Sequence, residues 1–239
     1  MTQMGNTAGS ADATEVAKFD ALAADWWDAR GPMAPLHAMN PVRMAWVAGQ
    51  LGPLEGLRIL DVGCGAGLAS EWLARRKAVV TGLDAAGAAL EAARVHAAQS
   101  GVVVDYREGT PESLEEGGFD AVIALEVIEH VPPAERAAFC AALARLVRPG
   151  GTVVLSTLNR TRRSWLFAIL GAEHLLRWLP VGTHDWKLFL APSELGALLR
   201  GAGLAVTDTA GMAPGALGGF RLSRDMAVNY LMAARKPAG

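Results

Sequence analysis

The chain has 239 residues, 51% of them hydrophobic and 19% charged, which is enough apolar material for one sizeable core and argues against extended disorder. With 24 acidic and 22 basic side chains the formal net charge is −2, so no basic field invites nucleic acid as a partner. The two cysteines, Cys64 and Cys140, show no metal-type spacing and exclude a disulfide framework, which fits reduced thiols in the cytoplasm.

In chain order, residues 1–11 read as a disordered tail with no apolar leader core, and 12–239 read as a single domain. Residues 12–50 are expected to form a helical cap. Asp12 with Glu15 makes a capping-box-like start, and Val16, Phe19, Leu22, Ala23, Trp26 and Trp27 follow at helical spacing. Gly31-Pro32 stops that helix, and Asn40-Pro41 starts the next. Short apolar runs then alternate with helical stretches. Strands are expected over 57–62, 78–83, 102–106, 119–125, 152–157, 204–209 and 226–232, and helices over 67–76, 86–100, 133–147 and 192–200. Residues 158–191 break the rhythm as an insertion. No run reaches the ~18 apolar residues of a membrane span. The alternation implies a doubly wound sheet with right-handed crossovers.

Ligands in such sheets bind beyond the carboxyl ends of the strands. The first strand-to-helix turn here is Asp61-Val62-Gly63-Cys64-Gly65-Ala66-Gly67. A dinucleotide turn needs G-x-G-x-x-G, whereas this one reads G-x-G-x-G, with Leu68 where the last glycine would stand. Asp61 suits a cationic ligand better than a pyrophosphate, and S-adenosylmethionine carries a sulfonium and an ammonium. Asp84, 17 residues beyond Gly67, is placed to accept from ribose hydroxyls. Gly63, Gly65, Asp61 and Asp84 are therefore candidate cofactor-binding residues. The plainer alternative is a tight turn that needs glycine only for packing.

The fourth strand runs into Glu126-Val127-Ile128-Glu129-His130, where two carboxylates and an imidazole stand at i, i+3 and i+4. On one helical turn all three point to one side. Such a set could hold Mg²⁺ or Mn²⁺, or could accept a proton without a metal. Glu129 and His130 could equally do no more than hydrogen-bond the strand end.

The strings KFDALAADWWD, PLHAMNPVRMAWV, ILDVGCGAG, VTGLDA, EVIEHV, LVRPGG, LSTLNRTRRSWL, VGTHDWKLF and NYLM together resemble the ubiquinone-biosynthesis O-methyltransferase family over roughly residues 17–232. The glycine turn and EVIEHV occur across many methyltransferases; the tryptophan pair, STLNRT and GTHDW are more specific. The resemblance implies a Rossmann-like class I fold, a mostly parallel seven-stranded sheet flanked by helices. It implies O-methylation of polyprenyl phenols at both methylation steps, and S-adenosylmethionine contacts at Arg43, Gly63, Asp84 and Leu125. Eukaryotic members suggest Mg²⁺ on the matches to Glu126, Glu129 and His130. Association with other enzymes of that route is a further expectation. Ala66 stands where close relatives often carry glycine.

His130 is the candidate catalytic base, with Glu129 orienting it; His184 is the second. Residues 164–179 are dense in Trp and Leu, with Arg160, Arg162 and Arg163 just before them. That composition suits either a buried substrate helix or a lid lying on the inner membrane face. The rival readings are a methyltransferase for another small acceptor and, more distantly, an NAD-binding oxidoreductase.

Overall fold

Ile59 faces one side of its strand while Leu60 and Val62 face the other, and all three are buried. Apolar residues on both faces are what a strand needs when helices cover the sheet above and below. The structure is a computed structural model that describes residues 10–13, 16–17, 23–165, 186–215 and 219–239.

The strands are β1 (Arg58–Val62), β2 (Val79–Asp84), β3 (Asp105–Glu108), β4 (Phe119–Leu125), β5 (Val147–Leu158), β6 (Ala205–Pro214), β7 (Phe220–Ser223) and β8 (Asn229–Arg235). The helices that matter here are α1 (Ala34–Leu51), α2 (Leu68–Ala74), α3 (Gly87–Ser100), α4 (Arg136–Leu146) and α5 (Pro192–Gly201). The sheet order is β3-β2-β1-β4-β5-β8-β6-β7. β1 to β5 are mutually parallel, and β8, β6 and β7 add on in antiparallel fashion. One face packs Leu60, Val122, Val153 and Met232 with Phe139 and Leu143 of α4 and Leu195 and Leu199 of α5. The other packs Ile59, Ile123, Val154 and Leu231 with Met44 and Val47 of α1 and Leu73 of α2.

This is the expected α/β architecture, a mostly parallel sheet flanked by helices, with eight strands where the sequence suggested seven. The additional strand, β7, forms a hairpin with β6 through the pairs Gly211 to Ser223 and Pro214 to Phe220. Several boundaries also move. The expected third strand at 102–106 begins at Asp105, because the Val102 amide is used to close α3 on the Ala97 carbonyl at 2.9 Å. The last strand begins at Asn229 rather than at 226. The Met226, Ala227 and Val228 carbonyls are occupied by the Asn159 side chain, the Thr161 hydroxyl and the Asn159 amide.

The cap differs more. α1 starts at Ala34, with Pro35 in its first turn, and runs on through Pro41. Proline suits a first turn, but Pro35 rather than Pro41 holds that place. Ser10, expected within the tail, is among the described residues. Ser10 is buried and its hydroxyl donates to Glu112 at 3.1 Å. Glu15, Phe19 and Leu22, and all of 166–185 with His184 and most of the apolar insertion segment, lie outside the described residues.

Candidate active site

The order of strands reverses between β1 and β4, and the loops at that point line a cavity of about 370 Å³. Along the sheet edge it takes in Asp84 at the end of β2, Asp61 to Gly65 at β1, Leu125, Glu126, Val127 and His130 at and after the end of β4, Leu158 of β5 and Asn229 of β8. From above, Ser10, Trp26, Met39 and Arg43 complete the wall.

The turn after β1 is held by Gly63 and Cys64, whose amides donate to the Leu83 carbonyl at 2.7 and 3.2 Å. Gly63, Gly65 and Gly67 all have positive φ (67°, 53° and 89°). A Cβ on Gly63 would meet Val127 at 2.4 Å, and one on Gly65 would meet Trp26 at 2.4 Å. Packing alone thus accounts for the glycines. What it does not account for is the pair of carboxylates on the same cavity.

Those two acids are built differently. Asp84 accepts from the Gly65 amide at 2.7 Å through Oδ2 and from the Ala86 amide at 2.8 Å through Oδ1. Each carboxylate oxygen of Asp84 therefore carries a backbone amide, which fixes the side chain on the cavity wall. Asp61 is buried and accepts from the Ser70 hydroxyl at 2.6 Å. Burial pushes its carboxyl up to about 7, against the pull of Ser70 and of Arg43. Such an acid gains from a cation placed beside it.

Arg43 comes from α1 and is buried to 4% exposure. Burial lowers its pKa, while Glu126, Asp61 and Glu129 pull it back up. Its Nη2 donates to Asn40 at 3.2 Å, and its Nε has no partner among the described residues. An unpaired guanidinium donor at a cavity wall suits a carboxylate ligand. Leu125, at the end of β4, lines the same cavity.

The acid–histidine stretch does not make the single helical face expected of it. Glu126 takes a left-handed backbone (φ 58°), and Ile128–His130 is a short 3₁₀ turn. Glu126 accepts from the Ser156 hydroxyl at 2.7 Å and stays on the cavity wall with His130. Glu129 turns inward, buried, and accepts from the Thr157 hydroxyl at 2.7 Å. Burial, then the charge of Glu126, pushes its carboxyl well above the usual range. Glu129 is not on the cavity wall that Glu126 and His130 share, so the three do not present one open face to a hard cation. Among the described residues, no group of three or more His, Cys, Asp or Glu is arranged to hold a metal ion. The Mg²⁺ set Glu126, Glu129 and His130 therefore does not fit, and no chemistry below passes through a metal.

Comparison with known proteins decides the family. A family model described as "Methyltransferase domain" matches residues 59–151. The ubiquinone biosynthesis O-methyltransferase of Alkalilimnicola ehrlichii is 54% identical over 222 residues, covering 91% of this chain and 89% of its own. That of Methylobacterium nodulans is 47% identical over 249 residues, covering 98% and 99%. The chain belongs to the ubiquinone biosynthesis O-methyltransferase family. Among solved structures, the Synechocystis magnesium protoporphyrin IX methyltransferase with bound SAM matches at TM-score 0.65 and 19% identity, covering 95% of this chain and 99% of that one. At that identity the likeness speaks for the fold alone.

Sequence reasoning about this O-methyltransferase missed several wall residues. Ser10, Met39, Phe220 and Asn229 line the cavity, and the Asn229 Oδ1 has no partner among the described residues. The tryptophan pair and NYLM resemble family strings, but nothing in their spacing announces the place of Trp26 and Asn229 in the wall.

Proposed function

We propose that this O-methyltransferase transfers a methyl group from S-adenosylmethionine to the phenolic oxygen of polyprenyl phenols, at both O-methylation steps of ubiquinone biosynthesis. The observation that carries it is the shared wall: Asp61, Arg43 and Asp84 on the donor side and His130 on the acceptor side of one cavity. The donor, when bound, supplies an electrophilic methyl on a positively charged sulfur. Asp61 would face its ammonium, Arg43 its carboxylate and Asp84 its ribose hydroxyls. Gly63, Gly65 and Leu125 would line its place.

A free phenol has a pKa near ~10 and needs help to ionise at neutral pH. His130 would accept that proton. The oxygen then forms the new bond to carbon as the carbon–sulfur bond breaks, and the electron pair stays on sulfur as a neutral thioether. Much of the acceleration would come from holding oxygen, carbon and sulfur in line. Glu129 is better read as a support for the 3₁₀ turn through Thr157 than as the residue that orients His130.

The polyprenyl tail would bring the enzyme to the inner face of a membrane. Trp165 is 44% exposed just after the Arg162–Arg163 pair, which suits contact with an anionic interface. No helix among the described residues is long and apolar enough to cross a membrane.

Labelled S-adenosylmethionine and a short-chain demethylubiquinol, with and without chelator, test the proposal. Label should move to the acceptor, and the chelator should leave turnover intact. Label that stays with the donor while other small acceptors are methylated would favour the rival methyltransferase reading.

A further inference from the structure

Trp27 has more structure around it than a surface residue of the cap needs. Its indole lies flat on the His96 ring, with centroids 3.4 Å apart and planes 6° from parallel. Its Nε1 donates to the Ala66 carbonyl at 3.0 Å, in the heart of the glycine turn. His96, on α3, is not free to wander. Its Nδ1 lies 2.6 Å from Glu71 Oε1, and the Glu71 side chain is only 2% exposed. Arg75 holds the other Glu71 oxygen at 3.0 Å. On the far side, His37 of α1 meets Trp27 edge-on at 6.0 Å and binds the Trp26 carbonyl at 2.9 Å.

Each of these contacts leads to the turn. Three glycines with positive φ have little rigidity of their own. The Trp27 bond pins the one carbonyl between Gly65 and Gly67. The same segment sets Trp26 against Gly65, where it is buried and faces the cavity. Trp27, His96 and Glu71 are not themselves among the cavity residues.

We infer that the Glu71–His96–Trp27 stack is a positioning device for the donor: it fixes the Ala66 carbonyl and seats Trp26 over Gly65, and so sets donor affinity without touching the donor. This rests on the reading of the glycine turn as the S-adenosylmethionine site. Preorganisation of this kind acts on binding, because a loop that is already ordered gives up less freedom when a ligand arrives.

The test compares wild type, His96→Ala, Trp27→Phe and the double variant. Donor binding is read by calorimetry, turnover is split into KM and kcat, and Tm is read alongside. Trp27→Phe keeps a ring on His96 but has no N–H, so it isolates the bond to Ala66. Each single variant should raise the donor Kd and KM roughly five- to tenfold, with kcat changed by less than about twofold. The double variant should lose little more than either single one, because both break the same line of contacts. Should His96→Ala fail to fold, Trp27→Phe carries the test alone. Folded variants with a lowered Tm and an unchanged donor Kd would reduce the stack to packing and overturn the inference. A wild type that binds no donor would instead overturn the donor reading, and this inference with it.

Discussion

The Gly65 amide donates to Asp84 Oδ2 at 2.7 Å, so the turn after β1 is tied to the end of β2 before any ligand arrives. Because Asp84 also accepts from Ala86, its carboxylate is fixed at both oxygens. Removing it should unfasten the turn as well as the proposed ribose contact. Asp84→Ala is expected to raise the S-adenosylmethionine KM by roughly ten- to a hundredfold, the worth of charge-assisted hydrogen bonds. Calorimetric titration of the variant checks this directly, and near wild-type affinity would show that Asp84 serves the fold only.

Asp61 gives a pH signature. Its carboxyl sits at about 7 in the folded protein against an ordinary 3.8, with burial as the main cause. Donor affinity should therefore climb as pH rises through about 7 and then level off, because the charged form is the one that meets an ammonium. Stability runs the other way. Between these two values the folded state holds more protons than the unfolded one, so stability falls as pH rises across that window. Asp61→Asn should thus be more stable than wild type above neutral pH while binding the donor less well. Melting curves and donor titrations at matched pH values test both halves.

His130→Ala should lower kcat by about 10²- to 10⁴-fold while leaving donor affinity in place, as expected when a general base is lost. The gap should narrow as pH approaches the phenol's own pKa near ~10, where the acceptor ionises unaided. A variant with full turnover at neutral pH would remove the base role.

Gly65→Ala forces a methyl group toward Trp26 at 2.4 Å on a backbone with φ of 53°. Strain of that kind costs about 1–3 kcal/mol. The variant should melt earlier and bind the donor more weakly, since Trp26 must retreat from the wall it shares with the turn. Ordinary melting and ordinary binding would mean that the turn is looser than its packing implies.

Much of the glycine turn and of the strand ends beside it was legible in the residues because its signals are local. Apolar runs ending in Asp61 and Asp84, and glycines at fixed spacing, belong to single strand–turn units. The acceptor half was less legible. Whether Glu129 points to the cavity or to Thr157 depends on the left-handed backbone at Glu126, which no helical-spacing argument anticipates. Likewise, Ser10 reaches Glu112 across 102 positions of chain, and Asn229 joins the wall only because β8 inserts between β5 and β6. Arg43 enters only through the family resemblance; the structure buries it within electrostatic reach of Glu126 and Asp61, a placement that spacing does not announce.

The most direct test of the account is calorimetric titration of the folded wild-type protein with S-adenosylmethionine and, separately, with a nicotinamide dinucleotide. The account requires saturable heat with the methyl donor and none with the dinucleotide. Saturation with the dinucleotide and silence with the donor would contradict it.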